Sequence, residues 1–262
     1  MKNCIKSAVI ITDCTDVSFS EMHQSLRNQL DLYGISDVHI SPMVPVKNFS
    51  VINAAFNIRL LADIFPAETT IFIVVVHGIQ SSPARIFGKT KQGLTFVGNN
   101  SGYFNWLIED FGLAELYENN VNRTIDGRSF GGKYVQIPTA AKIIANESFE
   151  KLGLERSSEF LNAFSIPLGT VVHTDNFGLM KIKAPKLIDF NEGEKLQIFV
   201  NGTPRVIAVY TEKMKRQQDG EWVLFNGSSL YGLPELGRVR SQNSAQELNV
   251  AEGDIITWKK LI

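Results

Sequence analysis

Cysteine is almost missing from this 262-residue chain, with Cys4 and Cys14 its whole complement. Two are too few for a disulfide framework or a zinc site, so no metal is expected. A surplus of either charge is missing too, with 26 basic against 27 acidic residues. Without a basic excess to neutralise phosphates, a nucleic-acid partner is not expected. Long apolar runs are also lacking. The longest, Ile71-Phe72-Ile73-Val74-Val75-Val76, is far short of the ~20 residues that span a membrane. Lys2 and Lys6 flank the start, but the run Ala8 to Ile11 stops before Asp13, too soon for a signal-peptide core. A soluble, cytoplasmic protein is the expectation. Three signatures are absent as well: the phosphate-binding Gly-x-x-x-x-Gly-Lys-Ser/Thr loop, the dinucleotide Gly-x-Gly-x-x-Gly and the Gly-x-Ser-x-Gly nucleophile elbow.

What is present reads as two halves. Hydrophobic residues make up 44 %, enough to exclude disorder, and the length fits one large domain or two modest ones. Over residues 1–165, strand and helix patterns alternate. Ala8–Ile11, Asp37–Ile40 and Thr70–His77 read as strands. The last, nearly all β-branched, has the character of a strand covered on both faces. Between them Phe19, Met22, Leu26 and Leu30 fall at helical spacing behind Ser18 as N-cap, and Ser50–Phe65 repeats the pattern before Pro66. This alternation predicts an α/β domain with a mostly parallel sheet. Over residues 166–262 the reading is a smaller, all-β, barrel-like domain. Its short strands are Thr170–His173, Leu187–Val200, Arg205–Tyr210, Glu221–Phe225 and Ile255–Trp258, separated by turns such as Asn201-Gly202-Thr203-Pro204 and Asp219-Gly220.

Three positions in the first half carry chemistry. Asp13 closes the first strand, where ligands of open α/β sheets bind; a carboxylate there holds a ribose diol or starts an Asx-turn. His77 ends the most buried strand beside Gly78. It is either a base working near neutral pH or a histidine bonded to a neighbouring loop. Arg85 follows eight residues later, facing a carboxylate substrate or solvent. The stretch Asn99-Asn100-Ser101-Gly102 offers amides to a ligand, or makes a hairpin turn.

An ordered set of further pieces resembles the S-adenosylmethionine (SAM) hydroxide adenosyltransferases and the related SAM-dependent chlorinases and fluorinases. The pieces are Ile11-Thr12-Asp13, Val51–Ala55, Phe65-Pro66, Thr70–Val76, Val97–Gly102, Phe130-Gly131-Gly132-Lys133, Ile137–Ala141, Asp175-Asn176-Phe177-Gly178, Gly227-Ser228-Ser229 and Asn243-Ser244-Ala245. The resemblance implies an α/β domain followed by a β-barrel, and a homotrimer with sites shared between subunits. It also implies attack of a nucleophile at C5′ of SAM, with L-methionine leaving, and no cofactor beyond SAM as substrate. Asp13 would hold the ribose, and Phe49 or Phe177 would pack on the nucleoside. Asn100 lies in the family's binding loop, and Asp175, Ser228 and Ser229 would meet the methionine end or the adenine edge.

The departures from the family concern the groups that activate water. The hydroxide-using members carry an Asp–Arg–His set; here the aspartate position is His77, the arginine position Arg85 and the histidine position Gly131. Gln80 stands where a halogenase places a small hydroxyl, and Leu179 replaces an expected asparagine. The leading expectation is a hydrolase making adenosine and L-methionine from SAM, with His77 as base and Arg85 beside it. The alternatives are a nucleoside-binding protein that has lost catalysis, and a SAM-dependent halogenase.

Overall fold

The computed structural model describes residues 4–77, 83–120 and 130–261; Gly78 and Gln80 lie outside them. The chain forms two compact units, Met1–Ser165 and Ile166–Ile262.

The first unit starts with strand β1 (Ser7–Thr12) and helix α1 (Val17–Leu32), whose apolar stripe Met22, Leu26 and Leu30 is fully buried. The N-cap is Asp16, not Ser18: its carboxylate accepts the Ser18 N–H at 2.9 Å, as aspartate at that position commonly does. Two short strands follow, β2 (His39–Ile40) and β3 (Val44–Pro45), then α2 (Val51–Ala62), capped by Ser50. Strand β4 (Thr70–Val75), wholly buried, pairs parallel with β1. Next come β5 (Arg85–Thr90), β6 (Thr95–Asn99), α3 (Asn105–Phe111) and β7 (Leu113–Asn119). A π turn (Gly132–Gln136) leads into α4 (Ile137–Ile144), and α5 (Phe149–Leu152) and β8 (Gly153–Glu155) complete the unit.

The sheet order is β2-β1-β4-β6-β5-β7-β8, with β3 also on β1. It is mixed rather than mostly parallel. The β1, β2, β3, β4 and β6 pairings are parallel, whereas β5 pairs antiparallel with β6 and β7, and β7 with β8. Only residues 91–94 link β5 to β6, and a parallel neighbour needs a crossover of about a dozen residues or more. The Asn99–Gly102 stretch, read as amides for a ligand or a hairpin turn, makes no hairpin and turns the chain from β6 towards α3.

The second unit is a seven-stranded sheet, built from β9 (Thr170–Thr174), β10 (Met180–Lys183), β11 (Lys195–Val200), β12 (Thr203–Tyr210), β13 (Trp222–Asn226), β14 (Pro234–Arg238) and β15 (Ile256–Lys260). Its order is β15-β11-β12-β13-β14-β10-β9, antiparallel except for β12 with β13. A bridge from Thr170 to Ile255 draws the two ends of that order together, curling the sheet into part of a barrel. Asn201 and Gly202, both at positive φ (49° and 78°), make the two-residue turn between β11 and β12, as such hairpins require. The expected strand at Leu187 is shortened to Lys195–Val200 because Asn191–Glu194 forms a turn. Strands β10 and β14 were not foreseen, nor was the helix α6 (Ser244–Leu248), so the unit is not all β. Five residues are too few to show helical periodicity.

Candidate functional site

Parallel pairing of β1 with β4 sets Thr12 beside Val75, so the residues just past both strand ends, Asp13 and His77, emerge together. They are 64 positions apart in sequence, yet His77 Nδ1 lies 2.9 Å from Asp13 Oδ1. The His77 backbone N–H also donates to both carboxylate oxygens, at 3.2 and 3.1 Å. Phe49 N–H donates to Asp13 Oδ2 at 3.1 Å. The Asp13 side chain is therefore 2 % exposed while that of His77 is 59 % exposed. The carboxylate considered for a ribose diol takes its donors from the protein itself. An ionised carboxylate only accepts, so Nδ1 carries the proton; in the neutral imidazole Nε2 is then the acceptor.

Phe49 adopts φ 61°, a left-handed conformation that costs a non-glycine residue roughly 1–3 kcal/mol and recurs at functional sites. Buried Asn53 holds this turn, its Oδ1 accepting the Lys47 N–H at 3.1 Å. The exposed Phe49 ring meets His77 edge-on at 5.8 Å. Cys14, read in the sequence only as too little for a disulfide framework or a zinc site, completes the group. Its Sγ lies 3.9 Å from His77 Nδ1 and 4.0 Å from Asp13 Oδ1. Burial pushes the thiol pKa up and the Asp13 and Asp16 charges add to this, against a hydrogen bond involving Thr12 that lowers it. Cys14 therefore stands as a neutral thiol.

Two adjoining hollows share Cys14, Ser18 and His77. The larger, about 590 Å³, is lined by His77, Arg85, Asn99, Gly131 and Gln136 among others, a size that suits a small-molecule ligand. Its wall depends on two glycines at the π turn. A Cβ on Gly132 would fall 2.7 Å from Val75 Cγ1 and 2.9 Å from Met22 Sδ. A Cβ on Gly131 would fall 2.6 Å from Arg85 Nη2, so the guanidinium lies against this glycine. In the same lining Gln136 Nε2 donates to Asn99 Oδ1 at 3.1 Å, and Tyr103 accepts the Asn99 N–H. Burial raises the Tyr103 pKa far above its usual range, so the phenol stays neutral. Neither Tyr103 nor Gln136 was foreseen; their distance in sequence from the strand ends they brace gave no signal.

The structure brings Asp13, Phe49 and His77 together, with Arg85 in the adjoining hollow. Asn100 does other work: its Oδ1 accepts the Asn162 N–H at 2.8 Å and its Nδ2 donates to Phe160 O at 2.7 Å, pinning that loop. The other candidates belong to the second unit. Asp175 Oδ1 accepts the N–H groups of Phe177 and Leu179, both at 2.9 Å, making an Asx-turn. That turn presents the Phe177 ring at the surface. Ser229 is buried, and its carbonyl accepts from Gly232 and Leu233; Ser228 is exposed. Among the described residues, no helix is long and apolar enough to cross a membrane.

The chain is similar to known proteins over nearly its whole length. The chain is 22 % identical over 251 residues to an (R)-S-adenosyl-L-methionine hydrolase of Methanocaldococcus jannaschii, covering 92 % of each. An uncharacterized conserved protein of Thermotoga maritima shares the fold, at TM-score 0.80 and 22 % identity over 96 % of this chain and all of that one. So does a conserved hypothetical protein of Thermus thermophilus, at TM-score 0.72 and 17 % identity over 97 % of this chain and all of that one. Residues 9–153 match the N-terminal domain of the SAM hydroxide adenosyltransferases. That match spans more than half the chain and contains Asp13, Phe49, His77, Arg85 and Gly131, and the protein belongs to the SAM hydroxide adenosyltransferase family.

Proposed function

We propose that this protein hydrolyses SAM to adenosine and L-methionine, with the Asp13–His77 pair supplying the base. The observation that carries the reading is the 2.9 Å contact of His77 Nδ1 with a buried carboxylate, which leaves Nε2 as an acceptor at the edge of a ligand-sized hollow. Water attacks C5′ and gives its proton to Nε2. The C5′–S bond breaks, and its electron pair returns to sulfur, quenching the sulfonium charge and releasing the thioether of methionine. Because the leaving group is already activated, the protein's task is to orient and partly desolvate the water. Asp13 positions His77 rather than holding the ribose, Arg85 faces the same hollow, and Phe49 covers the nucleoside. The same reading carries a homotrimer, in which Asp175, Phe177, Ser228 and Ser229 would serve the nucleoside.

The test is incubation of the purified protein with each sulfonium epimer of SAM, since the archaeal relative's name specifies the R form. Chromatography should show adenosine and methionine in equal amounts from at least one epimer. Unchanged SAM with measurable binding would make the protein a nucleoside binder, and a halogenated nucleoside formed only with halide would make it a halogenase.

Gly131 supplies a second check. Gly131→Ala places a methyl 2.6 Å from Arg85 Nη2, and the guanidinium, at the end of a flexible side chain, must swing aside. Thermal stability should change by less than about 1 kcal/mol, while the rate should fall about tenfold to 10²-fold, as a shift of about 1 Å in a positioning group costs. An unaltered rate would place Arg85 outside the chemistry.

A further inference from the structure

The geometry points to a divalent zinc-class metal site formed by Cys14 Sγ, His77 Nδ1 and Asp13 Oδ1. The three donor atoms form a triangle with edges of 2.9 Å (N to O), 3.9 Å (S to N) and 4.0 Å (S to O). Three donors around tetrahedral zinc, at about 2.0–2.3 Å from the metal, stand about 3.4–3.6 Å apart. Every edge is thus within about half an ångström of that arrangement, a movement that side-chain rotation supplies. The donor set of one thiolate, one imidazole and one carboxylate selects zinc or cobalt over magnesium or calcium, which prefer oxygen alone. The carboxylate is also braced as metal-bound carboxylates are, with Phe49 N–H on its other oxygen. His77 and Cys14 line both hollows, which leaves the fourth coordination position to water. The sequence discouraged any metal because its cysteines are too few; the fold completes the set with histidine and aspartate.

Proton balance follows from the geometry. Binding expels the thiol proton of Cys14 to solvent, and the imidazole proton leaves Nδ1 for Nε2, where it blocks the acceptor assigned to the attacking water. A bound metal therefore removes His77 as the base, reversibly. That consequence rests on the proposed role of His77, whereas the site itself does not.

Full-length protein carrying Cys4→Ser, which removes the other, exposed thiol, would be stripped with chelator and titrated with Co²⁺. One equivalent should bind with a near-ultraviolet thiolate-to-cobalt charge-transfer band, and Mg²⁺ should produce nothing. Zn²⁺ should displace the cobalt. Cys14→Ser, nearly isosteric and tolerant of the buried position, and His77→Gln should each weaken Zn²⁺ binding by at least about 100-fold. That exceeds the roughly 10- to 100-fold cost of losing a residue that only braces a ligand. Absence of the band, or binding unaffected by Cys14→Ser, would overturn the site. The band needs no turnover, so failure of the site and failure of the hydrolase reading are separately visible.

Discussion

His77→Gln should cut SAM hydrolysis by about 10²–10⁴-fold, the usual worth of a general base, while affinity for adenosine and thermal stability stay close to those of the parent. The imidazole is largely exposed on its outer side, so its replacement leaves no cavity. Its backbone N–H keeps its bond to Asp13 whatever the side chain. Glutamine has an amide oxygen that can accept a hydrogen bond but cannot take up a proton at neutral pH. Single-turnover rates and adenosine calorimetry separate the two effects. A variant retaining full rate would remove His77 from the chemistry and leave it a strand-end packing residue.

Asp13→Asn should lower kcat by a similar order while changing KM little. An asparagine amide can turn its NH₂ towards Nδ1, which then accepts and leaves the proton on Nε2, the wrong side for a base. Swapping the equivalent aspartate for asparagine in a serine-protease triad costs about 10⁴-fold for the same reason. If Asp13 instead gripped the ribose, KM would rise and kcat would hold. The double variant with His77→Gln should be little slower than His77→Gln alone, because residues acting as one unit are not additive. Asp13→Ala has a further consequence. It strips the Phe49 and His77 N–H groups of their acceptor, at about 1–3 kcal/mol for each group left unsatisfied. Its melting temperature should therefore drop by several degrees, where that of Asp13→Asn should fall less.

Much of this layout was legible in the chain. The β-branched run Thr70–Val75 and the spacing of Met22, Leu26 and Leu30 report burial directly, because periodicity and side-chain shape are local properties. The position of Asp13 and His77 at strand ends was legible for the same reason. Their hydrogen bond was not, since it depends on the register of β1 against β4. The antiparallel half of the first sheet was hidden because β5 and β6 are short and mix Gly88, Lys89 and Gly98 with their apolar residues. Cys14 was read only for what one thiol cannot do. Its neighbours across the fold were out of reach, as was the Arg85 guanidinium lying against Gly131. Asn100 looks like a ligand-binding residue in sequence, yet in the fold its amide pins a loop, and Asp175 Oδ1 also holds its own Asx-turn. The chemistry that suits a ligand also suits an amide two to four residues away, or across a loop.

The parallel register of β1 and β4 also has a kinetic meaning. Neither strand can find the other until the chain between them, with α1, β2, β3 and α2, has been gathered, and loop closures of that length slow folding. The second unit joins β9 to β10 and β11 to β12 through short turns, while its β10–β14 and β11–β15 pairs close loops of similar length to that between β1 and β4. A refolding chain should thus acquire those local hairpins early and its Asp13–His77 pair late. Enzymatic activity would then trail the return of secondary structure, and a nascent chain would remain inert until its first unit had closed.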